Sequence, residues 1–210
     1  MSEESNNIGA GGKRKIELDA ITEWVEDGQS VLDLGCGRGI LLSEIMRRHK
    51  GIYAVGVDTD FTKITHCIRR GVNAYHGDIM DALKSFSDKS FDWIVCSRTL
   101  PEVENPKEVI MQSLRVGRKV AVGFVNYGFW ANRLSILFSG NRIVNKVFPE
   151  KWEDARPSNQ ISVNDFKEFC KSNDITINRE HCLKGNWRTP CKFCPNLLSG
   201  YAIFEISLEK

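Results

Sequence analysis

The sequence predicts an α/β fold: a mostly parallel, doubly wound sheet with helices on both faces. Two observations carry this. Short apolar strands alternate with helical stretches of about ten residues, the pattern of βαβ units. The first strand also runs straight into a glycine-rich turn, VLDLGCGRGILL, spanning Val31 to Leu42. Glycine permits left-handed backbone and close approach of other atoms, so a sharp strand-to-helix turn is expected there.

Each element follows in order. Residues 16–27, IELDAITEWVED, bring Ile16, Ala20, Ile21, Trp24 and Val25 to one helical face, and Gly28 ends that helix. SVLDL is the first strand and ILLSEIMRRH the helix behind the glycine turn. IYAVGV forms a second strand ending at Asp58, and FTKITHCIRR a helix closed by Gly71. VNAYHGD is a short third strand and FDWIVC a fourth. NPKEVIMQSLR is a helix with Pro106 near its start, where a missing N–H costs nothing. RKVAVGF is the fifth strand. The rhythm breaks over 125–160, an aromatic-rich stretch read as a small cap inserted between strands. VNDFKEFCKSN then forms a helix, DITINREHCL a strand, and YAIFEISL the last strand. Residues 1–15 are polar and glycine-rich and read as a flexible tail, leaving 16–210 as one domain.

Composition narrows the class. The 210 residues carry a formal net charge of +2, which calls for no nucleic-acid partner. No apolar run reaches the roughly 18 residues of a membrane span, and the first residues lack the apolar core of a signal peptide. A cytoplasmic protein without membrane contact is expected. The seven cysteines are odd in number, which fits reduced thiols better than a disulfide framework.

Ligands of such sheets bind beyond the carboxyl ends of the strands, where the glycine turn, Asp58, Asp78 and Ser97 all fall. Gly35, Gly37 and Gly39 alone are compatible with a ligand-free turn. Asp58 lies 19 residues beyond Gly39, about where a carboxylate accepts from a ribose diol. That spacing suits a dinucleotide or another adenosine compound. Asp33, directly before the glycines, favours the second: an acid attracts an ammonium group and repels phosphate.

VLDLGCGRG resembles motif I of the class I S-adenosylmethionine-dependent methyltransferases. The resemblance implies a sheet of order 3-2-1-4-5-7-6 with the seventh strand antiparallel. It implies S-adenosyl-L-methionine as cofactor and S-adenosyl-L-homocysteine as product. The cofactor-binding set it implies is Asp33, Gly35, Cys36, Gly37, Gly39, Asp58, Thr59, Gly77, Asp78, Ile79, Ser97 and Arg98. Within it Asp58 takes both ribose hydroxyls and Asp78 the adenine amino group. RGVNAYHGDIMDAL, FDWIVCSRTLPEVENPKEVIMQSLRVGRKVAVGF, NYGFW and PNLLSGYAIFEI are similar to the MetW family of methionine-biosynthesis proteins. In SRTL, Arg98 replaces the family's glutamine; Val125 and Asn159 stand where the family usually has proline and histidine. This resemblance implies two functions: methyl transfer to a small-molecule acceptor, or a companion role beside a homoserine O-acyltransferase.

No catalytic residue is assigned, because methyl transfer can rest on alignment and desolvation. The absence of an N-P-P-Y or D-P-P-Y pattern after the fourth strand argues against base- or amide-nitrogen methylation. Arg98, Asn126, Tyr127 and Trp130 are the acceptor-side candidates, with Trp152 and Asp154 as further liners of the cap. Cys191 and Cys194 form C-K-F-C, but a second C-x-x-C is missing, so no metal is expected.

Overall fold

The computed structural model describes residues 18–144, 151, 153–154 and 158–208; the expected 1–15 tail and Trp152 lie outside them. Helix α1 covers 18–24 of these. The chain then runs β1 (Ser30–Leu34), α2 (Ile40–Arg48), β2 (Tyr53–Asp58), α3 (Phe61–Arg69), β3 (Asn73–His76), α4 (Ile79–Ser85) and β4 (Phe91–Ser97). A 3-10 turn (Leu100–Glu102), α5 (Pro106–Val116), β5 (Gly117–Val125) and α6 (Trp130–Ser139) follow. The chain ends with α7 (Val163–Ser172), β6 (Ile175–Lys184), α8 (Pro195–Leu198) and β7 (Ser199–Leu208).

The seven strands form one sheet in the order β3-β2-β1-β4-β5-β7-β6. The first five run parallel, and β7 pairs antiparallel with both β5 and β6. The expected topology is therefore observed. Side chains alternate between faces at every second residue. Leu32 and Leu34 of β1 join one apolar layer with α4, α5 and α7, while Val31 joins the other with α1, α2 and α3. Phe124, Phe166 and Phe204 fill the first layer, with ring centroids 4.8–5.9 Å apart. Central β1, β4 and β5 are buried on both faces, which is why they read as near-continuous apolar runs.

Helix α4 goes beyond the sequence expectation. Its start is marked by Asp78, whose Oδ1 accepts from the amides of Met80 (2.7 Å) and Asp81 (3.4 Å). Ser162 and Asp165 close a reciprocal capping box at the start of α7.

Asn126 latches the end of β5 to its surroundings. The residue is fully buried. Its Nδ2 donates to the carbonyls of Ser199 (2.8 Å) and Asn196 (3.0 Å), and its Oδ1 accepts from Gly128 (3.0 Å) and Val163 (3.2 Å) amides. Truncation would leave several buried backbone groups without partners. Asn126→Ala should therefore cost about 2–3 kcal/mol, lowering the midpoint of thermal unfolding by roughly 4–12 °C in a chain of this size. Differential scanning calorimetry measures this directly.

Candidate functional site

The carboxyl edge of the sheet is organised around the β1–α2 turn. Gly35, Gly37 and Gly39 all take left-handed backbone, with φ of 74°, 57° and 70°. The amides of Gly35 and Cys36 donate to the Val57 carbonyl at 2.8 and 3.0 Å, clamping the turn to the end of β2. A Cβ on Gly35 would lie 2.6 Å from Thr99 Oγ1, and one on Gly39 2.9 Å from Cys67 Sγ. Thr99 Oγ1 itself donates to the Leu34 carbonyl at 2.7 Å, so the loop after β4 closes over the end of β1. These close approaches explain why glycine is needed at 35 and 39.

Asp58 ends β2 facing this turn and is 7% exposed. Its Oδ2 accepts from the Gly37 amide and its Oδ1 from the Asp60 amide, both at 2.9 Å. Lys63 Nζ approaches Oδ1 at 3.7 Å. A carboxylate oxygen has two lone pairs, so each retains acceptor capacity beyond these bonds. On the neighbouring strand, the Gly77 amide donates to the Asp58 carbonyl (3.2 Å), placing Asp78 at the same edge. Asp78 is exposed, and its Oδ1 is committed to capping α4. Thr59 is exposed, and its carbonyl meets His76 Nε2 at 3.1 Å. Ile79 instead packs into the core beneath the edge.

This donor set fits an adenosine-bearing cofactor. Two acceptor-only carboxylates at adjacent strand ends match a diol and an amino group. The Gly37 amide, which a pyrophosphate would need, already serves a carboxylate. Asp33 is also buried, on β1 beneath the turn. Clefts of about 370 Å³ between β2, β3 and α4, and of about 400 Å³ along α5, contain none of these residues.

On the other side of the edge, Arg98 follows β4 with a left-handed φ of 63° and its amide bonded to the Gly123 carbonyl at 2.7 Å. Its guanidinium lies 4.9 Å from the Trp187 ring centroid and 5.6 Å from that of Tyr201. Trp187 is itself left-handed, with φ 57°. Two bulky residues in a costly backbone region thus meet in one cation–π contact. Ser97 Oγ lies 3.1 Å from the Tyr201 hydroxyl. Sequence reasoning reached Arg98 and Ser97 but missed Trp187 and Tyr201. They lie 89 and 103 residues beyond Arg98, and no local pattern ties them to it.

The remaining candidates separate. Asn126 is spent on the latch described above. Tyr127 is half-buried, with its amide bonded to the Ile161 carbonyl. Trp130 is exposed at the start of α6, and Asp154 is exposed. Asn159, at the family's histidine place, donates through Nδ2 to the Val103 (2.7 Å) and Leu100 (3.2 Å) carbonyls, locking the loop after β4.

The comparisons with known proteins agree with this fold. The chain resembles a structure of a possible histamine N-methyltransferase from Thermotoga maritima with a TM-score of 0.65 at 16% identity, covering 92% of this chain and 87% of that one. Magnesium protoporphyrin IX methyltransferase from Synechocystis with bound S-adenosylhomocysteine gives 0.64 at 16% identity, covering 95% and 84%. The protein therefore has the fold of S-adenosylmethionine-dependent methyltransferases. Residues 15–206 match the model of the family "Methionine biosynthesis protein MetW", and the chain belongs to that family. The bifunctional methionine biosynthesis protein MetXA/MetW of Rhodopirellula baltica is 33% identical over 121 residues, 54% of this chain but 19% of that protein. The ubiquinone biosynthesis O-methyltransferase of Hahella chejuensis is 29% identical over 168 residues, 76% of this chain and 65% of that protein. The chain thus spans about a fifth of the first relative and 65% of the second.

The cysteines are free thiols, and among the described residues no three His, Cys, Asp or Glu side chains are grouped to hold a metal ion. Burial, with Asp33's charge next, pushes the Cys36 thiol far up; its sulfur lies 3.7 Å from that of Cys67. Burial likewise pushes Cys96 and Cys182 to about 12 and Cys170 to about 11, against an ordinary 9.0. Cys194 is exposed. Near pH 8 an aromatic disulfide reagent should consume about one thiol rapidly in the folded protein and seven after unfolding. Groups that hold their protons longer when folded stabilise the fold below the unfolded value. Stability should therefore decline as pH rises from about 9 towards 12, read from urea midpoints across that range.

Proposed function

We propose that this MetW-family chain binds S-adenosyl-L-methionine at the carboxyl edge and transfers its methyl group to a small-molecule acceptor, releasing S-adenosyl-L-homocysteine. The observation that carries the reading is the buried Asp58 carboxylate against the left-handed glycine turn. In this reading Asp58 takes the ribose hydroxyls through its remaining lone pairs. Asp78 takes the adenine amino group, and Asp33 serves the ammonium group of the methionine part. Gly35, Cys36, Gly37 and Gly39 form the floor, and Thr59, Gly77 and Ile79 flank the adenosine.

The cofactor supplies an electrophilic methyl on a sulfonium. The protein's part is to align an acceptor with it and exclude water. Ser97 and Arg98 stand at the end of β4, between the cofactor side and β7. In this reading the positive charge of Arg98, held against Trp187 and Tyr201, attracts a carboxylate of the acceptor. Tyr127 and Trp130 of the cap, the segment between β5 and α7, supply apolar wall for the acceptor.

Removing Asp58 deletes charge-assisted hydrogen bonds worth about 1.5–3 kcal/mol. Asp58→Ala should weaken S-adenosylhomocysteine binding about ten- to hundredfold by calorimetry, while NAD gives no heat in either protein. With methyl-labelled S-adenosylmethionine and a metabolite extract, the wild type should yield labelled product and Asp58→Ala should not. Unchanged affinity in the variant, or tight NAD binding, would overturn the cofactor assignment.

One observation favours a second reading. In the R. baltica relative, a MetXA and a MetW part share one chain. Association of this chain with a homoserine O-acyltransferase, the partner its family resemblance implies, would make the cofactor site a sensor rather than a catalyst. A stoichiometric complex with that enzyme, with no labelled product from active extracts, supports this reading over methyl transfer.

A further inference from the structure

We propose that the outward face of α6 is the docking surface for the homoserine O-acyltransferase, a step that rests on the association proposed above. Leu134, Leu137 and Phe138 recur at the i, i+3, i+4 spacing of a helix that faces a core. Here they face outward: Leu137 is 73% and Phe138 81% exposed, and Leu134 is exposed as well. The only buried residue of α6 is Asn132. Its Nδ2 donates to the Tyr127 carbonyl at 3.2 Å, and Arg133 Nε donates to the Gly128 carbonyl at 2.7 Å. The first turn is thus pinned to the 126–128 backbone, while the later turns present their apolar side chains to solvent. A ten-residue helix is marginal by itself, and a continuous exposed apolar face of this kind marks an interaction site rather than ordinary surface.

Charge selects the occupant. Residues 126–144 contain Arg133 and Arg142 and no acidic residue. A second copy docking by a two-fold axis would set these cations against an identical face that offers them no carboxylate. A different protein with an apolar centre and an acidic rim meets the face at both levels. Since α6 follows the carboxyl end of β5 after the 126–129 turn, a partner seated there is tied to the same edge of the sheet through β5.

The test mixes the purified chain with the homoserine O-acyltransferase of its source organism and reads complex formation by light scattering and the dissociation constant by biolayer interferometry. The wild type should form a complex. Leu137→Glu/Phe138→Glu should weaken it at least tenfold, and Arg142→Glu severalfold with a flatter salt dependence. Thermal unfolding and S-adenosylhomocysteine binding should stay unchanged in both variants. A complex that both variants leave intact overturns the α6 assignment and spares the association. No complex with the wild type overturns the association and this surface together. If the chain instead self-associates, or binds phosphatidylglycerol vesicles, and the double variant abolishes that, α6 serves a second copy or a lipid surface and the proposal is wrong.

Discussion

Three hydrogen bonds hold the β1–α2 turn to the end of β2: the Gly35 and Cys36 amides on the Val57 carbonyl, and the Gly37 amide on the Asp58 carboxylate. The rest of the carboxyl edge is arranged by them. They force the chain into left-handed backbone at three alternate positions, which only glycine accepts cheaply. They bring the turn so close to Thr99 and Cys67 that no side chain fits at 35 or 39. They also fix the one buried carboxylate at the end of β2 in a defined orientation, its remaining lone pairs available at the edge. The same bonds that shape the turn thereby set a carboxylate, rather than a free backbone amide, at this point of the edge.

The edge has two halves of different character. Around β1, β2 and β3 it is acidic and built from backbone amides and carboxylates. Around β4, β5 and β7 it is cationic and aromatic, with Arg98 held on Trp187 and Tyr201. The second half carries strained backbone at both Arg98 and Trp187, a cost of order 1–3 kcal/mol each that the surrounding packing must offset. Tyr201 is fully buried and contacts Ser97 and the space above Gly123, which keeps this half rigid. The segment between β5 and α7 is treated differently along its length. Asn126 and Asn159 bind it firmly to the sheet edge and to the loop after β4, whereas α6 stands outward with its apolar face in solvent.

The sequence by itself determined the sheet and the placing of the glycine turn, Asp58 and Asp78 at its carboxyl edge. Strand and helix periodicity, and the spacing from the glycines to Asp58 and Asp78, are local properties, written within one βαβ unit at a time. Motif resemblance then supplied the strand order, including the antiparallel last strand. Helix α4 was also locally encoded, through the Asp78 cap, though its short length hides its period. Tertiary structure alone decided the rest. Asn126 looks like an acceptor-side residue in NYGFW, yet chain segments some 37 to 73 residues away converge on its amide and consume it. Trp187 and Tyr201 meet Arg98 only because β7 inserts between β5 and β6. The apolar residues of α6 have the spacing of a helix face packed on a core. Which way that face turns depends on where neighbouring elements leave room, and periodicity contains no information about that.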